Sequence, residues 1–167
     1  AATDEVWFPP PLALAPSVRR LSIMGFADFR QPFRNEDQSV QVVFNGELSD
    51  YVERRAELQA RGHRFVTHCD TEIIPHTWEE YQEGMFERLR GQFAIALWDT
   101  RREQLTLGRD RFGIAPLYWS RPGDWLLFGP ESKAILASVM VPAHPDQRDI
   151  DPVVTCPHLP GPLPLLH

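Results

Sequence analysis

Cysteine is scarce in this 167-residue chain: only Cys69 and Cys156 are present, and their separation fits neither a disulfide framework nor a metal-ligand motif. A reducing setting is therefore expected, the cytoplasm or another reducing intracellular compartment. Basic residues are also in deficit, 17 Lys and Arg against 23 Asp and Glu, and a net charge of -6 without any basic stripe argues against a nucleic-acid partner. Apolar runs stay far short of a bilayer span, and the first residues lack the basic-then-apolar pattern of an export leader, so no membrane span is expected. Glycines do not cluster into a phosphate loop. The six histidines are scattered without ligand spacing, so neither a cofactor nor a metal is expected.

What is abundant is apolar material and proline. With 43% hydrophobic residues the chain can bury the core of one domain. The 16 prolines gather at the ends, where Pro9-Pro10-Pro11 and the run from Pro157 to Pro164 read as extended arms. The organisation expected is an N-terminal strand and proline-rich arm over 1–18, a folded domain over 19–151, and a proline-rich tail over 152–167. The apolar Val6-Trp7-Phe8, within a candidate strand Glu5 to Phe8, needs a partner from elsewhere.

The segment that organises the rest is Val42-Val43-Phe44-Asn45-Gly46-Glu47-Leu48. Its apolar run reads as a buried strand that stops at Asn-Gly-Glu and delivers three polar groups to its end. An Asn amide donates, a Gly lets a backbone N–H approach a ligand, and a Glu can hold an ammonium group. An ordinary Asn-Gly turn is the competing reading. Upstream, Arg19 to Met24 alternates as a strand, and Gly25 to Arg34 reads as a loop in which Gln31-Pro32 turns the chain.

Downstream, Asp50 with Glu53 fits a capping box, and Gly62 stands where a helix from Tyr51 to Arg61 would stop. Tyr51, Leu58 and Val52 should face inward, with Arg54 snorkelling to water. His63 to Thr67 reads as a short strand. Asp70 should cap a second helix through Ile74, Trp78 and Tyr81, with Pro75 disturbing its first turn. Met85 to Leu89 offers one more helical turn. Phe93 to Trp98 is apolar on both faces, as in a strand covered on either side, and Gln104 to Gly108 returns antiparallel after a turn at Asp99 to Arg102. In the loop Arg109-Asp110-Arg111-Phe112-Gly113, an Arg109–Asp110 ion pair is the structural expectation. Pro116 to Trp119 and Trp125 to Phe128 should pair across the turn Arg121-Pro122-Gly123-Asp124, and a helix from Glu131 to Ala137 should follow. Together these elements describe a mixed sandwich with helices outside and sheets inside.

Several segments in register carry a more specific signal: Arg20-Leu21-Ser22-Ile23, Asn35-Glu36-Asp37, Phe44-Asn45-Gly46-Glu47, Gly62-His63-Arg64-Phe65, Asp70-Thr71-Glu72, Leu89-Arg90-Gly91-Gln92-Phe93-Ala94 and Arg109-Asp110-Arg111-Phe112-Gly113. The series, from about Arg19 to Asp151, resembles the glutaminase domain of the asparagine synthetase family, the class II glutamine amidotransferases. The resemblance implies an α+β fold, a four-layer αββα sandwich of antiparallel sheets of the N-terminal-nucleophile hydrolase type. It implies that Asn45 and Gly46 form an oxyanion hole. It also implies a glutamine pocket of Arg20, Leu21, Ser22, Ile23, Met24, Asn45, Gly46, Glu47 and Asp70, with Arg20 on the substrate carboxylate and Asp70 on its ammonium group.

One departure qualifies the activity. Members of that family attack the glutamine amide with a Cys at the start of the mature chain, whereas this sequence opens Ala1-Ala2-Thr3 and Cys69 is internal. The expectation is a glutamine amidotransferase-like domain, N-terminally truncated, with L-glutamine as its ancestral substrate and no hydrolysis in this form. The alternative is a non-catalytic glutamine-binding module or structural subunit, with a protein partner or second copy covering the N-terminal sheet edge.

Overall fold

The computed structural model describes residues 4–5, 17–18, 31–138 and 140–141. Arg20, Leu21, Ser22, Ile23 and Met24, the proline-rich tail and Cys156 lie outside the described residues. The chain divides into two compact units, Ala1–Pro116 and Leu117–His167.

In the first unit the central element is an antiparallel sheet of order β3-β4-β5-β6, formed by β3 (Phe33–Arg34), β4 (Val40–Leu48), β5 (Gly91–Asp99) and β6 (Gln104–Arg109). A separate two-residue pairing joins β1 (Asp4–Glu5) to β2 (Ser17–Val18). Only Glu5 of the candidate strand Glu5 to Phe8 falls among the described residues. Strand alternation gives the sheet its faces. Val40, Val42, Phe44 and Leu48 of β4 lie on the same side as Phe93, Ile95 and Leu97 of β5, because Val42 pairs with Leu97, Phe44 with Ile95 and Gly46 with Phe93. That side is buried against Leu58, Ile73, Ile74, Trp78 and Met85. Each such fully buried aliphatic side chain contributes about 1.5–3 kcal/mol. Ala94 and Ala96, on the opposite face of β5, are buried too, so the two-sided covering expected of Phe93 to Trp98 holds as far as Leu97, while Trp98 is half-buried.

Helix α1 (Tyr51–Ala60) and helix α2 (Ile73–Tyr81) supply the helical layer. A 3-10 turn over Asp70–Glu72 leads into α2, in keeping with the disturbed entry expected from Pro75. A second 3-10 segment, Gln82–Glu87, stands where a helical turn from Met85 to Leu89 was expected. Trp78 at the middle of α2 is fully buried, and its Nε1 donates to Asp99 Oδ2 at 2.9 Å, tying the helix to the end of β5. In the second unit, β7 (Tyr118–Ser120) and β8 (Leu127–Gly129) form the expected hairpin, followed by the short helix α3 (Ser132–Leu136).

Several expectations fail for identifiable reasons. Asp50 and Glu53 make no capping box: the Asp50 carboxylate accepts from Arg54 and from the Arg90 N–H instead. Val52 is exposed, because the inward stripe of α1 runs through Tyr51 and Leu58 only. His63 to Thr67 is not a strand, since the Val66 and Thr67 N–H groups donate to the buried Glu72 carboxylate at 2.6 and 2.7 Å rather than to a neighbouring strand. Phe33 and Arg34, read as loop, pair with Val42 and Gln41. Among the described residues, no helix is long and apolar enough to cross a membrane.

Candidate functional site

The strand does not stop at Asn45-Gly46-Glu47. It continues to Leu48, with Asn45 opposite Ala94, Gly46 opposite Phe93 and Glu47 opposite Gln92. Gly46 is required here chiefly by the neighbouring strand: its φ is +145°, and a Cβ would collide with the Gln92 carbonyl oxygen. Gly91, with φ +151°, stands in the same relation to the Glu47 carbonyl.

The ladder determines where the Gly46 N–H points. Phe93 donates its N–H to Asp110 Oδ2 (3.2 Å) and accepts at its carbonyl from the Asp110 N–H (2.8 Å), so both its backbone groups face away from β4. Gly46 and Phe93 are therefore a non-hydrogen-bonded pair, and the Gly46 N–H faces the far edge of β4, the side also faced by Phe44 and Leu48. The two neighbours on that edge are satisfied by side chains. The Gln31 amide clamps Phe44, donating to its carbonyl and accepting its N–H, each at 2.8 Å. The Asp70 carboxylate accepts the Leu48 N–H at 3.0 Å. Between these two clamps the Gly46 N–H has no ladder partner among the described residues, and the Asn45, Gly46 and Glu47 positions are all exposed.

Asp70 thus does not cap α2; it is bonded to β4 one residue beyond Glu47. Beside it, the Cys69 thiol lies 3.4 Å from both Asp70 Oδ1 and Thr71 Oγ1. Burial pushes that thiol up, outweighing the hydrogen bonds from Thr71, and the Asp70 carboxylate pushes the same way. A thiol held protonated is a poor nucleophile.

Asp110 is not paired with Arg109. Its buried carboxylate accepts the backbone N–H groups of Phe93, Phe112, Ile114 and Ala115 at 2.9–3.2 Å, while Arg109 donates to the Gly113 carbonyl at 2.7 Å. Burial disfavours the Asp110 charge, yet the four donors hold its carboxyl below the ordinary value. The loop is thereby moored to the residue facing Gly46.

Behind β4, Asn35 makes a buried knot. Its amide nitrogen donates to Asp37, Ser39 and Glu79 at 2.8–2.9 Å, and its oxygen accepts the Val40 N–H at 2.9 Å. Sequence reading missed the roles of Gln31, Asn35 and Glu72, because a side chain that bonds distant backbone leaves no periodic trace. It also missed that His63 and His76 converge with Glu36 and Glu79, which corrects the view of the histidines as scattered.

The model of the glutamine amidotransferase domain family matches residues 3–166. The chain is 36% identical over 137 residues to asparagine synthetase [glutamine-hydrolyzing] 3 of Bacillus subtilis (strain 168), covering 81% of this chain and 22% of that protein. It is 40% identical over 124 residues to the amidase chry2 of Gibberella zeae, covering 74% and 18%. The chain spans about a fifth of the length of the curated relatives it matches. Among solved structures, glutamine phosphoribosylpyrophosphate amidotransferase from B. subtilis, complexed with ADP and GMP, superposes with a TM-score of 0.57 at 21% identity, covering 70% of this chain and 28% of that one. That likeness shows the fold alone, an α+β arrangement of helices and antiparallel sheets. A match over nearly the whole chain, joined to these relatives, makes this protein a member of the glutamine amidotransferase domain family, homologous to the glutamine-hydrolysing asparagine synthetases.

Proposed function

We propose that this domain binds free glutamine along the far edge of β4 and that Cys69 is not the thiol that attacks it. In this reading the Gly46 N–H and the Asn45 amide receive the amide oxygen as it gains negative charge. Asp70 receives the α-ammonium group, Arg20 the α-carboxylate, and Glu47 with Leu21, Ser22, Ile23 and Met24 completes the pocket.

The observation that carries the reading is the row of three N–H groups on one edge, two clamped by Gln31 and Asp70 and the middle one, at Gly46, without a ladder partner among the described residues. Two residues of strand separate Leu48 from Gly46, about 6–7 Å. An extended glutamine side chain spans such a gap between an ammonium acceptor and an oxyanion donor. The relatives named as glutamine-hydrolysing support the substrate, and the activity of any longer parent, amide transfer for asparagine biosynthesis included, belongs to the same proposal.

A glutamine titration followed by thermal melting of the full chain tests it. Saturation at 100 times Kd stabilises by ~2.7 kcal/mol. The shift should vanish in Asp70→Asn and Arg20→Ala, and a diazo-ketone glutamine analogue should leave the mass at Cys69 unchanged. No shift with glutamine in the millimolar range, or a stoichiometric adduct on Cys69, overturns the proposal.

A further inference from the structure

Behind the sheet edge, on the α2 side, four donor groups converge that the glutamine reading does not use. Glu36 precedes β4, His63 follows α1, and His76 and Glu79 stand one turn apart on the same face of α2. Their ligand atoms lie within 4.8 Å of one another. His76 Nδ1 is 3.3 Å from Glu36 Oε2 and 3.7 Å from Glu79 Oε2, and His63 Nδ1 is 3.6 Å from Glu36 Oε1 and 3.7 Å from Glu79 Oε2.

We propose that Glu36, His63, His76 and Glu79 form a binding site for one divalent first-row transition metal ion, of which Zn²⁺ is the natural probe. A tetrahedral ion with N and O ligands at about 2.0–2.1 Å has ligand-to-ligand edges of about 3.3–3.4 Å, against nitrogen-to-oxygen spacings of 3.3–3.7 Å here, so the donors need only draw inward to close on it. Two imidazoles and two carboxylates suit zinc and its neighbours rather than Ca²⁺ or Mg²⁺, and the two negative charges neutralise the ion.

The second, independent observation is His76. It is 1% exposed, and its Nδ1, aimed at the two carboxylates, has no hydrogen-bond partner; the buried Glu79 Oε2 has none either. Leaving polar groups unpaired at such depth is unfavourable, and a cation between them would satisfy both. His76 Nε2 is also unpaired, so the ring keeps one uncompensated nitrogen when Nδ1 ligates.

The surroundings orient the donors. His63 Nε2 bonds Glu80 Oε1 at 3.1 Å, which turns Nδ1 inward with its lone pair. Asn35 donates to Glu79 Oε1 at 2.8 Å, leaving Oε2 for the centre. The Arg64 N–H donates to Glu36 Oε1 at 2.7 Å. Nearby cations engage other carboxylate oxygens: Arg61 binds Glu80 Oε2, and Arg101 approaches Glu79 Oε1 at 3.8 Å. Phe65 packs on the His76 ring at 4.5 Å and dries one side. An open hollow of about 410 Å³, lined in part by Arg34, Glu36, Arg64 and Glu72, gives an ion access from solvent at Glu36.

The test is a Zn²⁺ titration of the chelator-stripped full chain against a chromophoric competitor, with Co²⁺ absorption as a report on geometry. One ion per chain, a metal-dependent rise in Tm and the intense visible bands of four-coordinate Co²⁺ are expected. Glu36→Gln and His63→Gln, both on the accessible side, should lose the site while the metal-free urea midpoint and circular dichroism show each variant folded. Glu80→Gln should weaken binding by about 10–100-fold through the orientation of His63. His68→Gln should bind as the parent does. No stoichiometric uptake, uptake unchanged in Glu36→Gln and His63→Gln, or equal loss in His68→Gln overturns the site. Because these readouts do not involve glutamine, either proposal can fail while the other stands.

Discussion

Asn35 and Asn45 stand at opposite ends of the same run of chain, and the polypeptide uses one side chain for two contrary purposes. Asn35 is 4% exposed and saturates its amide on four protein groups. Asn45 is exposed and its amide has no hydrogen-bond partner among the described residues. The first is spent on the fold. The second is held in reserve. The difference comes from the backbone: Asn35 sits in a tight turn whose carbonyl also receives the Gln38 N–H, whereas Asn45 is carried on a rigid strand paired on β5, with Gln31 clamping the residue before it.

The contrast is sharpest in alanine substitutions. Asn35→Ala leaves the Val40 N–H and Glu79 Oε1 without that partner, at about 1–3 kcal/mol each, so a loss of about 2–6 kcal/mol is expected in urea unfolding. Asn45→Ala should stay within about 0.5 kcal/mol of the parent and, on the proposed reading, weaken glutamine binding. Equal losses in the two would erase the distinction. Next in size is Gly46→Ala, where the positive φ alone costs about 1–3 kcal/mol and the collision with Gln92 adds to it; glutamine binding should be lost along with stability. A stable Gly46→Ala protein that still binds would show that the edge is looser than the ladder suggests.

A further effect concerns acid. Hydrogen bonds from the Ser39 hydroxyl and N–H, with Arg101 added, bring the Asp37 carboxyl from its ordinary 3.8 down to about 2. A depressed folded value stabilises at pH above the unfolded value and loses that contribution as pH falls through the folded one. Asp37→Asn should therefore lie below the parent at neutral pH, with the gap closing between about pH 4 and pH 2 in urea midpoints. A gap that persists unchanged at the acid end would detach Asp37 from the Asn35 knot.

Both helices of the first unit, the long strands β4 to β6 and the β7–β8 hairpin were legible because each rests on period and punctuation: alternating Val40, Val42 and Phe44, the stop at Gly62, and the Pro-Gly turn before Trp125. What could not be read was the traffic of carboxylates to remote backbone. Asp50 looked like a cap and serves Arg54 and Arg90; Asp110 looked like half of an ion pair and gathers four N–H groups; Glu72 removes the hydrogen-bonding groups that would have made His63 to Thr67 a strand. Asn45 and Gly46 were legible as a pair. That Gly46 faces an edge flanked by clamps at Phe44 and Leu48 required the register with Phe93.

The two glycines of the β4–β5 ladder restrict how this edge can vary. At Gly46 and at Gly91 the obstacle to a side chain is the opposite main chain, the carbonyls of Gln92 and Glu47. Trimming a neighbouring side chain cannot clear a carbonyl out of the way. Second-site suppressors of a substitution at either glycine must therefore shift a whole strand, and directed-evolution libraries confined to side chains around this edge should return none.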